Sequence, residues 1–145
     1  MTTPIKAAAL LLSIALQAPA SAAEPSATLT VSFSGMKTPD GAIMAALYNN
    51  EADFKGDAEP YRGLRVTIDG DKMVAVISDL QPGRYAIKVF HDLNNNGRLD
   101  TNFFGIPTEP YAASNNPPPR MGPPLWKDAV FDLHPGENTQ TINID

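Results

Sequence analysis

Apolar and polar side chains alternate along most of this chain. Leu29, Val31 and Phe33 are interleaved with Thr30, Ser32 and Ser34, and Leu64, Val66 and Ile68 with Arg65, Thr67 and Asp69. A period of two places every second side chain on the same side of an extended backbone, so both segments read as strands with one buried face. Tyr85, Ile87 and Val89 share one side of a third, opposite Arg84 and Lys88. Ile43 to Tyr48 and Met73 to Ile77 are apolar on both sides, which predicts central strands or strands lying under a loop. Phe131 with Leu133, then Ile142 with Ile144, complete about seven strands, and helical periodicity is almost absent.

Turn chemistry separates these segments. Pro39-Asp40-Gly41, Asp69-Gly70-Asp71, Gln81-Pro82-Gly83 and the run His134-Pro135-Gly136-Glu137 supply the fixed or positive φ that chain reversals need. Short strands joined by such turns predict an all-β fold, an antiparallel two-sheet β-sandwich of immunoglobulin-like or transthyretin-like type. One segment, 103–127, has no strand periodicity and contains Pro117-Pro118-Pro119 and Pro123-Pro124. Prolines of this density are excluded from a sheet interior. Since the segment also holds Phe103, Phe104, Tyr111 and Trp126, it is expected to be an ordered loop folded over the sandwich.

Residues 1–23 differ in kind from the rest of the chain. Lys6, the short apolar run Ala7 to Leu16 and the small residues Ser21-Ala22-Ala23 have the form of a secretory signal peptide cleaved before Glu24. The apolar run is too short to span a bilayer, which takes roughly 20 residues. The expectation is one exported domain over 24–145, periplasmic or secreted and monomeric. Without Lys6 the chain keeps 10 basic against 16 acidic residues. An acidic surface is a poor match for nucleic acid or anionic lipid, whose affinity comes largely from Lys and Arg meeting phosphate. The absence of Cys excludes disulfides, thiolate catalysis and Cys-ligated metals.

The stretch His91 to Asn102, HDLNNNGRLDTN, carries the clearest candidate chemistry. Asp92, Asn94, Asn96, Gly97 and Asp100 follow the rhythm of a calcium loop, in which alternate side-chain oxygens converge on one hard cation and a glycine permits the sharp turn. Arg98 would contribute only its backbone carbonyl. The twelfth position is Phe103 rather than Glu, and a strand, not a helix, leads in, so this is not an EF-hand. Glu109 is the nearby acid that could complete the shell. With few anions, binding would lie near the ~10⁻⁴ to 10⁻³ M end of the calcium range. The competing reading is a solvated turn, because Asn, Asp and Gly are also the preferred turn residues.

His91 is in phase with Tyr85, Ile87 and Val89, so a buried, hydrogen-bonded ring is expected, with Asp92 pointing away. Catalytic motifs are missing. The chain has no G-x-S-x-G, no H-E-x-x-H and no glycine-rich phosphate loop. Asp100 with Glu109 would be a candidate pair for glycoside hydrolysis, but acidic chains commonly offer such pairs.

The run HDLNNNGRLDTNFFGIPTEPYAASNN, preceded by DLQPGRYAIKVF, resembles the signature of a family of exported bacterial proteins, domain of unknown function 2141. The shared pattern is H-D-x-N-x-N-G-x-x-D followed by G-x-P-x-E-x-Y-x-x-S-N-N, mapping to His91 through Asn116. Many members are similar to YGFSNN where this chain has Tyr111-Ala112-Ala113-Ser114-Asn115-Asn116. The resemblance implies an exported β-sandwich of unknown activity, and it joins the Asp92 loop to the segment carrying Glu109.

The resulting expectation is a non-enzymatic exported sandwich that binds calcium through Asp92, Asn94, Asn96, Arg98, Asp100 and Glu109. Tyr111 and Trp126 on the proline-rich loop would then meet a protein or glycan partner, with a core role for Trp126 equally open. The rivals are a small hydrolase using His91, Asp92 or Glu109, and a purely structural envelope protein without metal.

Overall fold

A computed structural model describes residues 23–145 apart from 57 and 72. The signal peptide expected over 1–23 lies, except for Ala23, outside the described residues. The elements in chain order are β1 (Ala27–Ser34), β2 (Ala42–Tyr48), α1 (Glu51–Lys55), β3 (Arg62–Thr67), β4 (Met73–Leu80), β5 (Gly83–Asp92), β6 (Tyr111–Ala113), α2 (Trp126–Ala129), β7 (Phe131–Leu133) and β8 (Gly136–Asn143).

They form two sheets, as the alternation requires. One runs β4-β1-β8; the other runs β3-β2-β5-β6, with β7 also on β5. The free side of β5 is shared between two short strands, Gly83 to Tyr85 pairing with β7 and Lys88 to Phe90 with β6. The ladders are antiparallel except β1–β8, where the first and last strands run parallel. Between the sheets lies a core of Leu29, Val31 and Phe33 from β1, Ile43 and Leu47 from β2, Ile87 and Val89 from β5, and Ile142 and Ile144 at the C-terminus.

A second, smaller core sits on the outer face of the larger sheet. Tyr48, Ala86 and Ala113 project outward there and are covered by Phe54 of α1 and by Trp126 and Ala129 of α2. Phe54 stacks edge-on against both Tyr48 (5.6 Å between ring centroids) and Trp126 (5.5 Å). Of the two roles open to Trp126, it takes the core one, 7 % exposed. One expectation is corrected. The segment 103–127 is not one continuous loop, because β6 and the start of α2 fall within it.

The helices escaped the periodicity because each is a single turn. In α1 the Asn50 side chain accepts from the Asp53 amide at 2.9 Å, which pairs one of the amides a helix start leaves free. Met73 to Ile77 also departs from expectation. β4 is an edge strand, and Val74 and Val76 stand exposed on its outer face while Met73 and Ile77 fill the core. The apolar outer positions are β-branched side chains that suit an extended backbone, not evidence of a second buried face.

Candidate functional site

The Asp92 loop leaves the end of β5 where that strand is anchored on both sides. Residues Ala42 to Tyr48 pair with Ala86 to Asp92, and the His91 amide donates to the Pro110 carbonyl at 2.9 Å. Proline has no N–H but its carbonyl accepts normally, so Pro110 can extend the edge that β6 continues. Gly41, at φ +79°, packs so close to this point that a Cβ would overlap the Asp92 carbonyl. The turn before β2 thus fixes where the loop begins.

His91 is buried, and its Nε2–H donates to the Asp40 carbonyl at 2.6 Å. The ring is a satisfied core group, as the phase predicted, and this nitrogen is committed to structure. Asp92 points to the other face of β5 yet is fully buried, since the loop folds back over it. Its Oδ1 accepts from the Asn96 amide (3.1 Å) and its Oδ2 from the Gly97 amide (2.8 Å). These bonds depend on Asn95 at φ +60° and Gly97 at φ +77°. Asn tolerates that region better than most residues and glycine adopts it freely.

Asn94 and Asn96 build Asx turns. Asn94 Oδ1 accepts from the Asn96 amide at 3.1 Å, and Asn96 Oδ1 from the Arg98 amide at 2.8 Å. Both carboxamides also donate to the same carboxylate, Asn94 to Asp100 Oδ2 at 2.6 Å and Asn96 to Asp100 Oδ1 at 2.9 Å. Asn94, Asn96 and Asp100 therefore converge, but through the carboxamide nitrogens; the oxygens that the spacing would turn toward a cation accept backbone amides instead. The Arg98 side chain is exposed.

Glu109 is buried and spans the neck of the loop, taking the Leu93 amide on Oε1 (2.8 Å) and the Asp100 amide on Oε2 (3.0 Å). It joins the two ends of the loop that the sequence joined to it. Among the described residues, no three or more His, Asp or Glu side chains are grouped to hold a metal ion. A cation here would rest on the Asn carbonyls and the Asp92 and Asp100 carboxylates. Tyr111 is half-buried in β6, opposite Phe90.

Downstream of Tyr111, three polar residues to which the sequence pattern assigns no role clasp the sandwich together. Ser114 is fully buried; its hydroxyl donates to the Ala129 carbonyl at 2.5 Å and accepts from the Ile87 amide at 2.9 Å. Asn115 Nδ2 donates to the Val130 carbonyl at 2.8 Å. Asn116 donates to the Thr141 carbonyl and accepts from the Asn143 amide, each at 2.8 Å. The signal was present in the run Ser114-Asn115-Asn116, since short polar side chains pair stray backbone groups where regular ladders end.

The family model for uncharacterized proteins conserved in bacteria, DUF2141, matches residues 31–142. No curated protein and no solved structure matches the chain. No helix among the described residues is long and apolar enough to cross a membrane.

Proposed function

We propose, for a chain that belongs to the uncharacterized bacterial protein family DUF2141, that it is an exported, non-enzymatic β-sandwich whose Asp92 to Asp100 loop binds calcium weakly and holds its neighbouring hairpin in place. The observation that carries this reading is the convergence of the Asn94, Asn96 and Asp100 side chains beside the buried Asp92. Each oxygen that accepts an amide in this loop keeps a second lone pair. Rotation of the two carboxamides would present oxygen instead of nitrogen toward Asp100, in exchange for the two Asx-turn bonds that those oxygens now accept. Export rests on the leader-like residues 1–23, and the non-enzymatic reading on the commitment of His91 and Glu109 to backbone partners.

A second reading has its own support. The carboxylates of Asp92 and Glu109 each already accept two backbone amides, so the loop holds its shape on internal bonds alone. Thermal unfolding in chelator and in calcium decides between them. At tenfold excess over Kd, calcium adds RT ln(1 + [L]/Kd), about 1.4 kcal/mol, and raises Tm by several degrees. Magnesium, which prefers a small octahedral shell, shifts it much less. Asp100→Ala removes the calcium-dependent shift and Arg98→Ala keeps it. Equal melting in chelator and in ten-millimolar calcium establishes the structural turn instead.

A further inference from the structure

The outer face of the larger sheet is apolar well beyond the part that the two helices cover. Register puts Arg65, Met44, Phe90 and Tyr111 in one cross-strand row, and Gly63, Ala46, Lys88 and Ala113 in the next. The outer face of a two-layer antiparallel sandwich ordinarily turns polar side chains to water. Here Met44, Ala46 and Phe90 form a half-buried floor. Lys88 bounds it on the helix side, its Nζ 4.6 Å from the Phe54 ring centroid.

Two walls stand over this floor. One is the hairpin formed where Asp100 and Thr108 bond, which holds up Phe104 and Ile106, 81 % and 56 % exposed. The other is the proline-rich segment that carries Met121, 95 % exposed. The groove they enclose has a volume of about 1050 Å³, just above the roughly 300–1,000 Å³ usual for small-molecule sites.

Its charge is opposite to that of the chain. The full sequence has a net charge of −5, but among the described residues Arg65, Lys88 and Arg120 line the groove against one acid, Glu59. Among the described residues neither arginine is in an ion pair. Arg65 donates to Asn95 Oδ1 and Arg120 to the Pro123 carbonyl, which occupies one N–H of each five-donor guanidinium.

We infer that this groove binds a single amphiphile with an apolar chain and an anionic head group, of the long-chain carboxylate class. The chain would lie on Met44, Ala46 and Phe90 under Phe104, Ile106 and Met121, with the head group at an arginine. A second copy is the poorer occupant, because a twofold contact brings each patch onto itself and would face the cationic rim with its own charge. A bilayer surface is poorer also, since a bilayer meets the acidic surface around the groove as well as its cationic rim, and that surface is repelled by anionic lipid. The site needs no metal and stands whether or not the Asp92 loop binds calcium.

Calorimetric titration of the purified protein with laurate below its micelle concentration tests this, with dodecyltrimethylammonium as the matched cation. Laurate should bind, and more tightly than the cation. Arg65→Glu with Arg120→Glu should weaken laurate by about five- to tenfold, in line with two exposed charge contacts, and abolish the preference for the anion. Phe104→Ser with Met121→Ser, both at exposed positions, should weaken both amphiphiles with Tm unchanged. The inference is overturned by no laurate binding at millimolar concentration, or by equal binding of the two head groups. It is overturned equally by retention on phosphatidylglycerol vesicles without binding of monomeric laurate, or by a dimer on ultracentrifugation that the serine variants dissociate.

Discussion

Ser114 shows how much a single hydroxyl can carry. It bridges the Ile87 amide of β5 and the Ala129 carbonyl at the end of α2, with no exposure to water. Ser114→Ala would leave both backbone groups buried and unpaired, at a cost of about 1–3 kcal/mol. Denaturant titration should show the midpoint falling with an unchanged slope. Tyr85 makes a prediction about pH. Burial, then the neighbouring Tyr61, raises its pKa above the ordinary 10.0. Folded and unfolded chains both hold the phenol proton below that value, so its contribution is intact there. As pH rises past it the unfolded chain ionises first, and stability is lost through to the higher folded pKa. Tyr85→Phe should be less stable at neutral pH, because the bond to the Gln81 carbonyl is gone. Its stability should fall less steeply above pH 10, as read by urea melts across the alkaline range.

Among the elements, the loop closed by Glu109 is held by one carboxylate bonded to two amides seven residues apart, Leu93 at the start of the loop and Asp100 at its end. A carboxamide has only one oxygen, so Glu109→Gln would set an N–H donor against one of these amides. The expected result is local, with faster hydrogen exchange at the Leu93 and Asp100 amides and a stability loss of about 1–3 kcal/mol. Legibility at this scale followed side-chain periodicity. β1 and β5 could be read because buried side chains alternate with less buried ones, and β3 because half-buried Leu64 and Val66 alternate with exposed neighbours. That Asn94, Asn96 and Asp100 meet follows from spacing within one turn, whereas which of their atoms meet does not. β6 could not be read, being three residues long and held by partners on β5. The groove floor was equally hidden. Met44 and Phe90 look like core positions in sequence, and only the pairing of β2 with β5 places them together on the outer face. Trp126 was ambiguous for the same reason, since its burial depends on Phe54, far away in the chain.

For the whole molecule, the arrangement of the two cores makes a prediction about cooperativity. β2 contributes Ile43 and Leu47 to the core between the sheets and Tyr48 to the outer one; β5 contributes Ile87 and Val89 to the first and Ala86 to the second. Neither core can come apart without disturbing strands that the other needs. Among the described strands β8, the last, pairs along β1, the first, so the sandwich also closes through contacts between segments far apart in sequence. Contacts so distant in sequence slow folding, because loop-closure entropy is lost before burial offsets it. A chain of this size built this way should unfold in one step. Trp126, the sole tryptophan, reports on the outer core alone, whereas far-ultraviolet circular dichroism reports on all the strands. The two signals should follow one urea transition with the same midpoint and slope. A tryptophan transition at lower urea would mean that α1 and α2 detach as a separate unit, with the sandwich beneath them still folded.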